Sequence, residues 1–133
     1  MSRPTIEYLL GKTVASFETG YGIPGPESPE TYQYDALLLF VLDDGTRFWF
    51  GHLDECCEEV YLAGVAGDLE DLVGSPITMA EMASNEKWNE EAFEETKWTF
   101  YKLATVKGYV TLRFIGTGNG YYSISVDIEV EKP

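Results

Sequence analysis

The stretch YDALLLFVLDDGTRFWF, residues 34–50, decides the fold, because it predicts a β-hairpin in the first half of the chain. A nearly continuous apolar run ends at Asp44 and Gly45, a pair that favours a tight turn, and an aromatic segment follows it. A strand that is apolar at almost every position is typical of burial on both faces. We therefore expect the first strand of this hairpin to lie inside a sheet rather than at its edge.

Other segments also predict strands, with loops between them. A first strand is expected over residues 13–17, and a loop is expected over residues 21–32, which contain three prolines and two glycines. Residues 98–106 and 109–115 are rich in aromatic and β-branched residues, and a turn is expected at Lys107 and Gly108. Further strands are expected over residues 58–66 and 123–130. The second of these alternates, with Ile124, Val126, Ile128 and Val130 directed inward.

Helical signals are short. Residues 5–10 have helix-like apolar spacing, and residues 67–77 predict one or two helical turns with Asp68 as N-cap and Gly74 as the stop. The acidic segment at residues 84–96 is compatible with a short helix or a loop. We therefore predict a single α+β domain over residues 1–133, with a predominantly antiparallel sheet of about six or seven strands and one or two short helices.

The charge of the chain excludes some classes of partner. It has 23 acidic and 9 basic residues and a net charge of −14. Thirteen acidic residues and one lysine fall between Asp54 and Glu95. Nucleic-acid binding through a basic patch is not expected, because phosphate contacts need lysine and arginine. No signal peptide or membrane-spanning run is visible, so we expect a cytoplasmic protein that does not contact membranes.

The segment GHLDECCEEV, residues 51–60, contains the only histidine and both cysteines of the chain. His52, Asp54, Cys56 and Cys57 are residue types that bind zinc, which makes zinc the alternative to a protein without cofactors. Structural zinc sites usually take four ligands from two separated pairs, and the sequence has no second pair. In an extended chain the two cysteines would also point to opposite faces.

Other chemical roles for this segment are weaker. The surrounding carboxylates raise the pKa of a thiol and so oppose a cysteine nucleophile, and we expect no enzyme. A bond between the two adjacent cysteines is disfavoured by standard disulfide geometry. The preferred interpretation is a structural corner between two strands, with one cysteine in the core, the other half-exposed, and the acidic side chains outside.

The acidic surface is the leading candidate for function. Carboxylates on a rigid surface can occupy a basic groove on another protein, since opposite charges speed encounter and reject other anions. Trp88 and Phe93 lie within the acidic segment and could anchor such a contact. The predicted contact residues are Glu55, Glu58, Glu59, Asp68, Glu70, Asp71, Trp88, Glu90, Glu91, Phe93, Glu94 and Glu95.

A small-ligand site is a further alternative. In GTGNGYY, residues 116–122, Asn119 could form hydrogen bonds with a nucleotide, and Tyr121 and Tyr122 could stack on its base. The same residues are typical of a hairpin turn, with Asn119 and Gly120 suited to positive φ. Phosphate binding by such an acidic protein would need Lys102, Lys107 and Arg113 near the site.

Taken together, DDGTRFWFGHLDECCEEVYL (43–62), GDLEDLVGSPI (67–77), WTFYKLATVKGYVTLRF (98–114) and GTGNGYYSISVD (116–127) resemble a family of small uncharacterised proteins of bacteriophages and prophages. The resemblance spans roughly residues 35–127. It implies a phage or prophage origin and a place in the cytoplasm of the host cell. Inhibition of a host defence or nucleic-acid-handling protein is then an expected task, as in anti-CRISPR proteins. The family has no established activity, so the resemblance assigns no catalytic residue. The partner and the oligomeric state stay open at this point.

Overall fold

The computed structural model describes residues 4–27 and 33–133. Within them, eight strands form two four-stranded antiparallel sheets. The strands are β1 (Val14–Thr19), β2 (Tyr34–Leu42), β3 (Arg47–Leu53), β4 (Glu59–Ala66), β5 (Met79–Asn89), β6 (Glu94–Thr105), β7 (Gly108–Gly118) and β8 (Asp127–Glu131). The first sheet has the order β1-β2-β3-β8, and the second has the order β4-β7-β6-β5. The prediction of a mainly antiparallel β protein is confirmed.

The hairpin predicted from residues 34–50 is present as β2 and β3, and β2 lies inside its sheet, between β1 and β3. Its apolar side chains are buried on both faces. Phe40 belongs to the core, whereas Leu39 alternates to the opposite face and is also buried. On β3 the indole of Trp49 donates a hydrogen bond to the carbonyl oxygen of Pro24 at 2.8 Å. The segment around Pro24 therefore packs against the outer face of the first sheet.

Aromatic rings join the two sheets across the core. The ring of Phe50, on β3, lies 5.8 Å from that of Phe114 on β7 and 5.2 Å from that of Tyr101 on β6, measured between centroids. All three residues belong to one hydrophobic cluster with members from both sheets. The two sheets therefore pack face to face, which a prediction of a single sheet did not anticipate.

The predicted helices are smaller than expected. The described residues contain two 3-10 turns, Ile6–Leu9 and Leu69–Leu72, and no α-helix, so the α+β class is corrected to a β architecture with two helical turns. Asp68 does cap the second turn, because its side chain accepts a hydrogen bond from the amide of Glu70 at 3.0 Å. Among these residues no helix is both long and apolar enough to cross a membrane.

The acidic segment at residues 84–96 is neither a helix nor a loop along its whole length. Its residues continue β5 and β6 into a hairpin, with Trp88 paired to Glu95 and Asn89 paired to Glu94. At the tip, the side chain of Asn89 accepts hydrogen bonds from the amides of Glu91 and Ala92. Phe93 has a φ of 49°, which closes the turn.

Several predicted boundaries shift. The first strand is Val14–Thr19, and the turn expected at Lys107 and Gly108 lies one residue earlier, because β7 begins at Gly108. The last strand is Asp127–Glu131 and not residues 123–130. Ile124 is buried outside any strand, against Gly116 and Gly118. Part of the predicted loop, residues 28–32, lies outside the described residues.

Candidate functional site

His52 lies near the end of β3, just before the connection that leads from the first sheet to the second. Asp35 of β2 pairs with His52, and Asp127 of β8 pairs with the neighbouring Gly51. Three strands therefore meet at this residue. The side chain of His52 is buried, with 1% of the residue exposed. Residues 54–58 then form a corner that leads into β4 of the second sheet.

One nitrogen of the His52 imidazole is held by hydrogen bonding. Nδ1 lies 2.8 Å from the carbonyl oxygen of Ser125 and 3.4 Å from Oδ2 of Asp127. A carbonyl oxygen only accepts, so Nδ1 carries a hydrogen and donates it. The same oxygen of Asp127 accepts a hydrogen bond from the amide of Leu53 at 3.0 Å. The imidazole is therefore fixed in one orientation.

The other nitrogen of His52 faces carboxylates. Among the described residues, Nε2 of His52 is the one buried side-chain nitrogen or oxygen without a hydrogen-bond partner. Its distance to Oε1 of Glu58 is 3.6 Å, and the Glu58 side chain is 2% exposed. Ligand-capable atoms of His52, Asp54 and Glu58 all lie within 4.8 Å of one another. A buried nitrogen and two carboxylates thus converge on one point.

Glu58 is turned inward by the corner that it closes. Its carboxylate accepts hydrogen bonds from the backbone amides of Glu55, at 2.7 Å, and Cys56, at 3.2 Å. Burial raises the pKa of Glu58, but the two amides and His52 outweigh burial and lower the pKa below its ordinary value. Glu58 is therefore an ionised group of the corner and not part of the outer acidic surface on which it was predicted.

The charges of the site shift two further pKa values. Burial raises the pKa of Asp54, and the negative charges of Asp35 and Glu58 raise it further against the opposing effect of His52. Burial lowers the pKa of His52, but Asp127, the carbonyl of Ser125 and Asp54 outweigh burial and raise the pKa to about 9. The corner therefore has an excess of negative charge that attracts a cation.

The cysteines are not arranged as predicted. Cys56 and Cys57 are both exposed, and they are bonded to each other as a vicinal disulfide. The expectation that one would be in the core and the expectation against this bond are both wrong. Cys57 has a φ of 66°, within a turn that places the pair outside the sandwich. Of the four predicted zinc ligands, the structure brings together His52 and Asp54, and it adds Glu58 in place of the cysteines.

The predicted acidic surface divides between two ends of the molecule. Glu90, Glu91, Glu94 and Glu95 lie at the tip of the β5–β6 hairpin. Asp68, Glu70 and Asp71 lie at the other end of β6, where the hydroxyl of Thr105 donates to the carbonyl of Asp71. The 12 residues of β6 separate these groups by roughly 36 Å. Glu59 is exposed and lies toward the same end of the second sheet as the tip, since it pairs with Thr117 and Thr117 pairs with Thr96. Glu55 is exposed in the corner that precedes β4.

The hairpin tip exposes two aromatic side chains. Residues 81–94 are all exposed, with Trp88 exposed by 45% and Phe93 by 73%. Their rings meet edge to face with centroids 6.4 Å apart. A cavity of about 550 Å³ lies beside Trp88 and is also lined by Lys87, Glu95 and Gly120. The tip therefore exposes an aromatic pair on a hairpin whose glutamates Glu86, Glu90, Glu91 and Glu94 are exposed as well.

The residues of the predicted small-ligand site form a turn. The side chain of Asn119 accepts a hydrogen bond from the amide of Tyr121 at 3.0 Å, and Gly120 has a φ of 85°. The rings of Tyr121 and Tyr122 lie 5.6 Å apart, and Tyr121 is exposed. The three basic residues predicted for a phosphate have other neighbours. Lys107 donates to the carbonyl of Val73, Arg113 lies over Trp98, and Lys102 pairs with Glu81 and Thr111.

A family model matches residues 7–128, almost the whole chain. The chain belongs to the DUF7448 family, a domain of unknown function. No match was found among curated proteins or among solved structures. Membership in this family confirms the resemblance to a group of uncharacterised proteins and assigns no role to any residue.

Proposed function

We propose that this protein is a small acidic binding protein of phage type, which inhibits a host protein by occupying its basic surface with the tip of the β5–β6 hairpin. The observation that supports it best is the exposed pair Trp88 and Phe93 among carboxylates. The proposed role needs no catalysis, no cofactor and no direct contact with nucleic acid.

The aromatic pair supplies the apolar part of the contact. Burying large exposed aromatic side chains against a partner removes apolar surface from water, which contributes favourable free energy to binding. Tryptophan is among the residues that contribute most to binding energy at protein interfaces. Trp88 is also positioned before binding, since it packs on Phe93 and against Gly120. Little conformational entropy is then lost when the partner binds.

The carboxylates supply selectivity. Glu86, Glu90, Glu91 and Glu94 are exposed on the same hairpin as the aromatic pair, and Lys87 is the one base between residues 81 and 95. A surface of this charge repels nucleic acid and attracts a groove lined with lysine and arginine. Nucleases and polymerases have such grooves because they bind phosphates. The resemblance to phage and prophage proteins supports a host defence or nucleic-acid-handling protein as the target.

The experiment compares three immobilised proteins in lysate of a bacterial host at low salt. They are the wild type, the double variant Trp88→Ala/Phe93→Ala and the control Tyr109→Ala. Tyr109 is 74% exposed, and it lies near the opposite end of β6, where Ala104 pairs with it. We expect a basic host protein to bind the wild type and the control, to elute with salt, and to be absent from the tip variant.

A second step tests inhibition. The captured protein is purified, and its nucleic-acid binding or cleavage is measured with and without the wild-type chain. We expect the wild type to reduce that activity at equimolar concentration and the tip variant to leave it unchanged. Equal capture by the tip variant and the wild type would refute the assignment to the hairpin tip, and capture without inhibition would refute the inhibitory role.

A further inference from the structure

We propose that His52, Asp54 and Glu58 form a binding site for a divalent transition-metal ion of the zinc type. The three residues are not among those of the hairpin tip, and the contact proposed above does not use them. Its ligands would be one imidazole nitrogen from His52, at the end of β3, and two carboxylates from Asp54 and Glu58, in the corner between β3 and β4.

The imidazole is presented as a metal ligand. Because Nδ1 of His52 donates its hydrogen to the carbonyl of Ser125, the neutral ring has its lone pair on Nε2. That lone pair is buried, has no hydrogen-bond partner, and is directed at the carboxylate of Glu58. In the neutral ring this buried acceptor faces only acceptors, which is unfavourable. A proton on Nε2 removes the conflict, and so does a metal ion between Nε2 and the carboxylates, which must displace that proton to bind.

The distances fit a small ion. Zinc binds histidine nitrogen and carboxylate oxygen at about 2.0–2.2 Å, so two ligands of a tetrahedral site lie about 3.3 Å apart. Nε2 of His52 is 3.6 Å from Oε1 of Glu58. All three ligand atoms lie within 4.8 Å of one another, and Asp54 is exposed and able to rotate inward. Small side-chain rotations would therefore close the site around an ion.

Hydrogen bonds from neighbouring groups orient two of the proposed ligands, as is common in metal sites. Histidine ligands usually donate their second nitrogen to a carbonyl or carboxylate, and His52 has both Ser125 and Asp127 at Nδ1. Glu58 is oriented by the amides of Glu55 and Cys56. Two of the three ligands are thus fixed without a metal, so little order needs to be created when one binds.

The donor set indicates the class of ion. Calcium and magnesium prefer oxygen ligands only, whereas an imidazole with carboxylates suits zinc and neighbouring transition metals. Three protein ligands leave at least one coordination position open for water or for a group of another molecule. The disulfide removes Cys56 and Cys57 from the set, because both sulfurs are bonded to each other.

The test is a zinc titration of the full chain, freed of metal with a chelator and followed by calorimetry and native mass spectrometry. We expect one zinc ion per chain with an affinity in the micromolar range or tighter, and X-ray absorption that shows nitrogen and oxygen but no sulfur ligands. Magnesium at the same concentration should not compete. Absence of zinc binding, which is the outcome if a proton rather than a metal occupies Nε2, would overturn the proposal.

Matched variants locate the ion. Glu58→Gln, Asp54→Asn and His52→Gln should each weaken zinc binding by at least about tenfold. If His52→Gln does not fold, as judged by circular dichroism, the two carboxylate variants decide. Cys56→Ser/Cys57→Ser and the remote control Asp68→Asn should bind like the wild type. Binding that survives both carboxylate variants, or that is lost in the cysteine variant, would show that the ligands are other residues.

Discussion

The ring of Tyr34 lies over the backbone of Gly51, one residue before His52. Its hydroxyl, on β2, donates a hydrogen bond across β3 to the carbonyl oxygen of Asp127 on β8. A Cβ atom at Gly51 would stand 2.6 Å from the Tyr34 ring. Glycine is therefore required at position 51, because only a residue without a side chain lets one aromatic ring connect the three strands around the candidate site.

The first prediction concerns this close approach. We expect Gly51→Ala to lower the free energy of unfolding by about 1–3 kcal/mol, because the new methyl group forces the Tyr34 ring and the backbone of Asp35 to move. Urea denaturation followed by tryptophan fluorescence measures the change.

The matched control is Gly25→Ala, whose Cβ would have its nearest neighbour, the carbonyl oxygen of Tyr34, at 3.9 Å. This change should alter stability by less than about 0.5 kcal/mol. Equal stability of the Gly51 variant and the wild type would contradict the packing of Tyr34 over the strand.

Part of the fold could be predicted because its signals are local. The apolar run of β2, the Asp44–Gly45 turn and the aromatic β3 are neighbours in sequence, so a hairpin follows from them directly. The division into two sheets depends instead on which distant strands pair, such as β3 with β8. The burial pattern of a strand does not show which other strand pairs with it. It also cannot separate one covered sheet from two packed sheets, because each strand has one buried face in both arrangements.

The acidic hairpin could not be predicted for a different reason. Residues 81–94 are exposed on both faces, so neither the period of a strand nor that of a helix is present in their apolar residues. Their extended form comes from backbone pairing, such as Glu86 with Lys97, and from the turn at Asn89. Only the long-range structure shows that Trp88 and Phe93 meet.

The second prediction concerns the contact between the sheets. Phe50→Ala should lower the free energy of unfolding by about 3–5 kcal/mol, since it removes the ring that contacts both Tyr101 and Phe114 and leaves a cavity. Phe93→Ala is the matched control, because it deletes the same side chain from the exposed hairpin tip.

The control should change stability by less than about 0.5 kcal/mol. Calorimetric melting of both variants measures the difference. If the two phenylalanine variants melt alike, the assignment of Phe50 to the centre of a two-sheet core is wrong.

The third prediction concerns the cap of the second 3-10 turn. Asp68→Ala should lower stability by about 1 kcal/mol, because the amide of Glu70 loses its hydrogen-bond acceptor. Asp68→Asn keeps an acceptor oxygen and removes the same charge. It should therefore stay close to the wild type in chemical denaturation, and a loss equal to that of the alanine variant would show that charge and not capping is responsible.

The cluster around His52 could be predicted only in part. The sequence places His52 and Asp54 in one candidate group, as the structure does, whereas Glu58 is expected on the outer surface. Residues 54–58 form an irregular corner, where no periodicity indicates which side chain turns inward. The inward direction of Glu58 comes from hydrogen bonds to the amides of Glu55 and Cys56, which depend on the shape of the turn. The exposed disulfide at Cys56 and Cys57 has no sequence signal beyond adjacency.

The fourth prediction concerns the net charge of −14. Like charges are crowded at the hairpin tip and at the Asp68–Asp71 turn, so their repulsion opposes the folded state and is reduced by salt. We expect the melting temperature to rise by about 4 °C, equivalent to about 1 kcal/mol, between 20 and 300 mM sodium chloride. These concentrations lie on either side of the one at which the Debye length is about 10 Å.

The matched variant is Glu90→Gln/Glu91→Gln/Glu94→Gln, which removes three charges from the exposed tip and leaves the core unchanged. Its melting temperature at low salt should exceed that of the wild type, and its dependence on salt should be weaker. If the two proteins respond equally to salt, repulsion at the tip has no measurable effect on stability. The carboxylates would then be retained in the sequence at no energetic cost, and their exposure alone would carry no evidence for a partner.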